Sequence, residues 1–117
     1  MKTTRSFSAL ALMGAITLSA NPSHAHHGVN GQFDLSKSVE VTGVVTRVRF
    51  VNPHSYIYFD AKNDAGKEEA WRCELRSGSL LKRKGWKKSM FEKGTTVTFN
   101  GSPARNEPNA CYTKSIT

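Results

Sequence analysis

Three histidines occupy the positions in this sequence that are best suited to bind a metal ion: His26, His27 and His54. If a leader peptide is removed just before His26, the new α-amine and the first imidazole can chelate one ion. Such nitrogen ligands favour Cu(II), then Ni(II) and Zn(II). His54 follows Asn52-Pro53, a turn signal at the end of a predicted strand. A three-histidine copper or zinc site is therefore one prediction.

The same histidines also have simpler interpretations. The pair His26-His27 can be a polar, disordered end of the chain, and the His54 ring can bond a backbone carbonyl of its own turn. Metal binding would weaken below about pH 6, because protons compete for amine and imidazole nitrogens. No Met-rich or Cys-X-X-Cys pattern supports a dedicated Cu(I) site.

Two tyrosines predict a second kind of site. Tyr56 and Tyr58 share one face of a predicted strand, because strand side chains alternate between faces. On small barrels such a face binds oligonucleotides or sugars. Nearby arginines can supply positive charge: Arg47, Arg49 and Arg72. Tyr56, Tyr58 and Arg72 are thus predicted to bind an anionic glycan or a lipid headgroup, unless the tyrosines only cover the barrel beneath the arm or helix.

Catalytic motifs are absent from the sequence. There is no nucleophile elbow and no phosphate-binding glycine loop. Glu68 and Glu69 are a charge pair at the edge of a turn, and adjacent residues on a strand point to opposite faces. We therefore expect a binding protein rather than an enzyme.

Residues 1–25 have the pattern of an export signal. Lys2 and Arg5 precede an apolar run, and Ser23-His24-Ala25 places small residues where signal peptidase requires them. The apolar run is short for a membrane span. An uncleaved anchor and a cut after Ala20 are the alternatives. We expect a periplasmic or secreted protein with no transmembrane segment after cleavage.

The remaining chain is predicted to form an extended N-terminal arm, 26–38, and one domain, 39–117. Alternation and turn signals predict five strands, and a change of phase near Gly43 predicts a β-bulge in the first. The predicted strands are 39–51, 55–61, 69–75, 95–100 and 110–117, with a short helix at 77–84. The order β-β-β-α-β-β indicates an all-β protein with one short helix, an OB-fold-like five-stranded small barrel.

Cys73 and Cys111 are the two cysteines of the chain. Export implies an oxidising compartment, so we predict a disulfide between them. Two unpaired, buried thiols are the alternative.

Most of the positive charge lies in one cluster: Lys82, Arg83, Lys84, Lys87 and Lys88. Outside the cytoplasm the available polyanions are anionic lipid headgroups, surface polysaccharide or stray nucleic acid. We expect no nucleic acid partner. The alternative is a solvated basic face without a partner.

A series of short motifs runs in order along the chain. These are His26-His27, Phe33-Asp34, residues 41–45, Asn52-Pro53-His54, Gly66-Lys67 before Trp71, Leu81 through Gly85-Trp86, and Lys93-Gly94 before Val97. The series resembles a family of small exported bacterial proteins catalogued as a domain of unknown function. The resemblance implies export and a compact β-rich domain, and it implies no activity.

Three functions follow from these patterns. The first is a copper or zinc binder that uses the three histidines. The second is a metal-free module that binds an anionic ligand through the tyrosines and the basic cluster. The third is an accessory of an envelope protein, bound through an exposed sheet edge. The sequence leaves the oligomeric state open.

Overall fold

The computed structural model describes residues 28–117 of the chain. The predicted export signal and two of the predicted metal ligands, His26 and His27, lie outside the described residues. The elements are α1 (Val29–Gln32), β1 (Val39–Arg49), β2 (Ser55–Lys62), β3 (Glu68–Leu75), α2 (Gly78–Arg83), a 3-10 turn (Lys88–Phe91), β4 (Thr96–Pro103) and β5 (Ala110–Ile116).

The five strands close into a barrel in the order β1-β2-β3-β5-β4. All pairs are antiparallel except β3 with β5, which run parallel over residues 72–74 and 110–112. The predicted all-β architecture and the helix between β3 and β4 are confirmed. Every barrel strand pairs with a neighbouring strand on both sides. The exposed sheet edge through which an accessory protein would bind its partner is therefore occupied by strand pairing over at least part of each strand.

The core consists of inward-facing side chains from all five strands. Phe59 and Phe99 are fully buried and stack with ring centroids 4.5 Å apart, and the ring of Trp71 is nearly parallel to that of Phe59 at 6.1 Å. Leu81 of α2 and Phe91 of the 3-10 turn close the core. Trp71 and Trp86 are partly buried and pack against core side chains.

The bulge in β1 lies further along the strand than predicted. The pairing of β1 with β2 shifts register between Val45 and Arg47. Consequently Val45 is buried at 1% exposure, while Val44 is 44% exposed. Glycine is required at position 43 for a reason other than the bulge. A Cβ there would overlap the carbonyl oxygen of Asp60 and the ring of Phe59. The glycine thus permits close approach of β1 to β2.

The predicted disulfide joins Cys73 to Cys111. These residues are register partners on the parallel strands β3 and β5, and their Cα atoms are 4.5 Å apart. The bond therefore fastens the short parallel seam that closes the barrel.

Helix α2 is attached firmly to the loop between β1 and β2. The Ser77 hydroxyl accepts from the amide of Leu80 as an N-cap. Asn52 exchanges two hydrogen bonds with Ser79, one to the hydroxyl and one from the backbone amide. A Cβ on Gly78 would lie 2.9 Å from the backbone of Phe50. The helix and the Asn-Pro-His turn consequently form one rigid unit.

Two segments differ from the expectation. The arm, predicted to be extended, contains the single helical turn α1, and Phe33 then bridges to Ala104 and packs on Tyr112. Strand β4 continues through Gly101 to Pro103, where the sequence predicted a loop. Docking of the arm against the end of β4 explains both differences, because it buries Phe33 and gives this end of the strand a partner.

Candidate functional site

Tyr56 and Tyr58 lie on the outer face of β2, as predicted. Their neighbours Ile57 and Phe59 point into the core. In the register of the sheet, Tyr58 lies opposite Arg47 on β1 and Arg72 on β3. Three strands therefore place tyrosine and arginine side chains in one row.

Arginines lie against both tyrosine rings. The guanidinium of Arg47 is 4.4 Å from the ring centroid of Tyr58, and that of Arg72 is 5.7 Å from the centroid of Tyr56. The two ring centroids are 6.2 Å apart. We call these four residues the tyrosine–arginine face. Aromatic rings beside fixed cations suit a ligand that carries both flat apolar surfaces and negative charge.

The positive charges of this face differ in availability. Arg72 donates to a carboxylate oxygen of Glu107 at 2.6 Å, and this hydrogen bond raises the pKa of Arg72 above its usual value. Arg47 and Arg49 form no ion pair with any other residue of the part described. An incoming anion would therefore meet Arg47 and Arg49 as unpaired cations, whereas Arg72 already holds a counterion.

A groove of about 580 Å³ runs beside the tyrosine–arginine face. One wall is the barrel surface, and the other is the arm with the loop between β4 and β5. Its lining includes Gly31, Gln32, Phe33, Tyr56, Arg72, Glu74, Asn106 and Glu107. The site predicted from strand alternation is thus partly walled by the arm, whose position depends on contacts far apart in sequence.

Glu74 is a buried acid in this groove, and the sequence analysis did not select it. Its side chain is 5% exposed, and burial raises the pKa of Glu74, although His54 and Arg72 act in the opposite direction. The His54 Nδ1 atom lies 2.8 Å from Glu74 Oε1. Burial, and next the charge of Glu74, also raise the pKa of Tyr56, which keeps that phenol neutral.

His54 therefore bonds a carboxylate rather than a backbone carbonyl of its turn. The ring is 51% exposed, and in the neutral imidazole an Nδ1–H that donates to Glu74 leaves the lone pair on Nε2. A metal-binding histidine commonly donates to a carboxylate in this way. Within residues 28–117 no group of three or more His, Cys, Asp or Glu side chains is arranged to hold a metal ion.

The basic cluster lines a second groove, of about 650 Å³, between α2 and the loop after β1. The residues that form it are Phe50, Val51, Asn52, Gly78, Ser79, Lys82, Gly85, Trp86, Lys87 and Lys88. It shares no residue with the groove at Tyr56. The sequence predicts one site for an anionic ligand, formed by the tyrosines together with the basic cluster. In the structure these residues belong to two separate surfaces.

None of the helices among residues 28–117 has the length and apolar character needed to cross a membrane. The buried disulfide is compatible with an extracytoplasmic location, where such bonds persist.

Two solved structures share the barrel. One is a mitochondrial single-stranded DNA binding protein from S. cerevisiae, Rim1, with a TM-score of 0.51 and 10% identity over 69% of this chain and 91% of that chain. The other is the dimeric N-terminal domain of PriB from Thermoanaerobacter tencongensis, with a TM-score of 0.50 and 15% identity over 70% and 94%. At these identities the likeness shows an OB-like fold and nothing about ligands.

The sequence matches a family model as well. A family of unknown function, DUF6152, covers residues 15–112. The chain therefore belongs to the DUF6152 family, and the predicted membership of a family without an assigned activity is confirmed. No curated protein matches the sequence.

Proposed function

We propose that this member of DUF6152 is an extracytoplasmic binding protein, not a catalyst, that holds an anionic glycan on the tyrosine–arginine face. The observation that supports the proposal is the placement of Arg47 and Arg72 against the half-buried rings of Tyr58 and Tyr56 on the outer face of β2. The outer face of strands β2 and β3 is the surface on which OB-folds bind chain-like ligands.

An anionic sugar chain fits the chemistry of this face. The C–H surface of a sugar ring can pack on a tyrosine ring, while Arg47 and Arg49 offer planar donors to a carboxylate or sulfate. A linear chain of sugars can contact both rings at once, since their centroids are 6.2 Å apart. Glu74 and Glu107, on the far side of Tyr56, repel the anions and would direct the charged groups toward β1.

The disulfide and the predicted export signal support an extracytoplasmic location. A bond between Cys73 and Cys111 persists where the surroundings are oxidising. Carboxylated and sulfated polysaccharides are abundant at cell surfaces, so the ligand class and the location agree.

Titration calorimetry with an oligogalacturonate tests this function. The double substitution Arg47→Gln, Arg49→Gln should weaken binding by at least about ten-fold, since a hydrogen bond to a charged group is worth about 1.5–3 kcal/mol. The matched control is Lys62→Gln, Lys67→Gln in the β2–β3 hairpin, which removes the same charge and should leave the affinity unchanged.

The aromatic contribution is tested separately. Tyr56→Ala with Tyr58→Ala should weaken binding at least about ten-fold, because two rings that together lose about 60 Å² of buried apolar contact lose about 1.5 kcal/mol. Tyr56→Phe with Tyr58→Phe keeps the rings and should retain most of the affinity. Equal affinities for the arginine variant and its lysine control would contradict the proposal. Tighter binding of a single-stranded DNA oligonucleotide than of the glycan would also contradict it.

A second candidate function, binding of Cu(II) or Zn(II), is supported by the His54–Glu74 pair. The carboxylate orients the ring and leaves Nε2 to a metal. Gly31 and Gln32 line the same groove as Glu74. His26 and His27 directly precede Gly28, the residue at which the helical turn of the arm begins, so we propose that they approach His54 from that side of the groove.

Copper titration of a chain whose first residue is verified by mass spectrometry as His26 tests this candidate. One residue added before His26 should weaken Cu(II) binding sharply, because it removes the amine–imidazole chelate. His54→Ala should weaken binding too, whereas Ser36→Ala, on the arm and remote from His54 in sequence, is the control. Unchanged affinity in both the extended chain and His54→Ala would exclude the three-histidine site.

A further inference from the structure

The net charge of the described domain comes from one short segment. Residues 28–117 contain 15 basic and 9 acidic side chains. Six of the basic residues and none of the acidic ones lie between Arg76 and Lys88, so the remaining residues carry nine of each sign and are neutral overall. This segment includes α2 and the start of the 3-10 turn. The barrel thus has one strongly positive end.

The basic side chains of this end are exposed and unpaired. Lys82, Arg83, Lys84, Lys87 and Lys88 are all solvent-exposed, and none of them forms a salt bridge within residues 28–117. No glutamate or aspartate of the segment offsets them. Five like charges held this close repel one another, so an anionic partner would stabilise them.

Apolar side chains lie among these charges. Met90 is 52% exposed, and Trp86 is half-buried. Trp86 lines the groove with Lys82, Lys87 and Lys88 on one side, and a shallower depression with Lys84 and Met90 on the other. We call Lys82, Arg83, Lys84, Trp86, Lys87, Lys88 and Met90 the α2 surface. It combines cations with a tryptophan and a protruding methionine.

The backbone of the α2 surface is fixed. The Trp86 amide donates to the carbonyl of Leu81, and the Trp86 ring packs on Phe91 with centroids 5.6 Å apart. Gly85 reverses the chain with a φ of +88°. The exchange between Asn52 and Ser79 holds the start of the helix. The charges are therefore presented by a rigid scaffold, and little order has to be gained on binding.

We propose that the α2 surface binds the interface of an anionic phospholipid bilayer. Lysine and arginine would contact headgroup phosphates, while Trp86 and Met90 enter the boundary between headgroups and acyl chains. This combination is typical of interfacial membrane segments, whereas a soluble polyanion needs no protruding methionine. The inference does not depend on the proposed glycan site, because the grooves at the two surfaces share no residue.

Co-sedimentation with vesicles tests the inference. Vesicles of equal parts phosphatidylglycerol and phosphatidylcholine should bind the protein, and pure phosphatidylcholine vesicles should not. Each basic residue near such a surface raises the partition coefficient about five-fold. Lys87→Gln with Lys88→Gln should therefore lower it about 25-fold, whereas the control Lys62→Gln with Lys67→Gln should change it little.

Tryptophan fluorescence reports whether the apolar groups enter the bilayer. In a Trp71→Phe background, where Trp86 is the remaining tryptophan, anionic vesicles should shift the emission to shorter wavelength and protect it from acrylamide. If Trp71→Phe does not fold, Met90→Gln in the native sequence gives the second test, and it should reduce vesicle binding although the net charge is unchanged.

The outcomes are distinct. Binding to anionic vesicles with a Trp86 shift supports the inference. Absence of vesicle binding at low salt overturns the inference. It is also overturned if Lys87→Gln with Lys88→Gln weakens vesicle binding no more than the control Lys62→Gln with Lys67→Gln does. Binding of soluble heparin through Lys87 and Lys88 without vesicle binding would assign the α2 surface to a soluble polyanion and would also overturn it.

Discussion

Reduction of the disulfide should remove a large part of the stability of this domain. Cys73 and Cys111 are 38 residues apart in sequence, and closing a loop of that length in the unfolded chain is worth about 4 kcal/mol. A domain of this size has a total unfolding free energy of about 5–13 kcal/mol. Loss of the bond should leave a folded but marginal barrel, since the seam between β3 and β5 has few pairs.

Urea unfolding with and without reductant measures this loss of stability on a single amino-acid sequence. With a urea m-value of about 1.5 kcal/mol/M, the midpoint should fall by about 2.5 M when the bond is reduced. Both sulfurs are buried, at 0% and 1% exposure, so reduction requires prior unfolding. The folded protein should resist reductant for as long as it stays folded.

The control is Cys73→Ala with Cys111→Ala, which should unfold at the same urea concentration with or without reductant. A shift of less than about 0.5 M for the native sequence would refute the reasoning. It would mean that the unfolded chain is already compact around this loop, or that the β3–β5 seam stabilises the barrel without the bond.

Three further perturbations have a defined expected result. Gly43→Ala should destabilise the barrel by about 1–3 kcal/mol in thermal or urea unfolding, because the new methyl group overlaps the carbonyl of Asp60; a neutral result would show that β1 can move away. The pKa of Glu74 is raised, so the folded state holds that proton more tightly, and stability should fall as pH rises from about 4.5 through the folded pKa. Glu74→Gln should abolish that decline in a pH series of unfolding midpoints, and an unchanged profile would contradict it. Arg105→Ala should speed amide exchange in residues 28–34, since Arg105 Nε donates to the carbonyl of Asn30 at 2.9 Å; unchanged protection there would show that Phe33 alone holds the arm.

The barrel could be predicted because its signals are local. Alternation in β2 places Ile57 and Phe59 inward whatever the neighbouring strands do, and the Asn63–Lys67 turn joins β2 to β3 without help from other elements. The bulge in β1 was misplaced for the opposite reason. Val44 and Val45 are equally apolar, so the sequence does not show which one faces the core, and the pairing with both β2 and β4 decides it.

The sequence predicts which strand faces carry the residues of the candidate site, but it does not predict which of these residues contact one another. The faces of Tyr56 and Tyr58 follow from alternation, and Arg72 lies opposite Tyr58 once the hairpin register is known. The same register places Glu74 opposite Tyr56, so a careful count through the hairpin would have drawn attention to it. The ion pair of Arg72 with Glu107 depends on a loop 35 residues away, for which no local signal exists.

The arm shows how tertiary contacts override local preference. Gly28 and Gly31 disfavour regular structure, yet α1 begins directly after Gly28 and includes Gly31. Backbone bonds from Asp34 to Pro103 and from Arg105 to Gln32 hold this turn against the end of β4. The wall that the arm adds to the groove at Tyr56 is consequently a product of the finished fold.

The uneven charge of the α2 surface makes the whole domain an electric dipole. The rest of the domain is neutral overall, so the excess positive charge lies at the α2 surface. The domain therefore experiences a torque in the field of any negatively charged body. At about 0.1 M salt this field extends about 10 Å into solution, so rotation happens in the last nanometre of approach. Successive molecules would then arrive with a common orientation, and their collision rate would fall as salt is added.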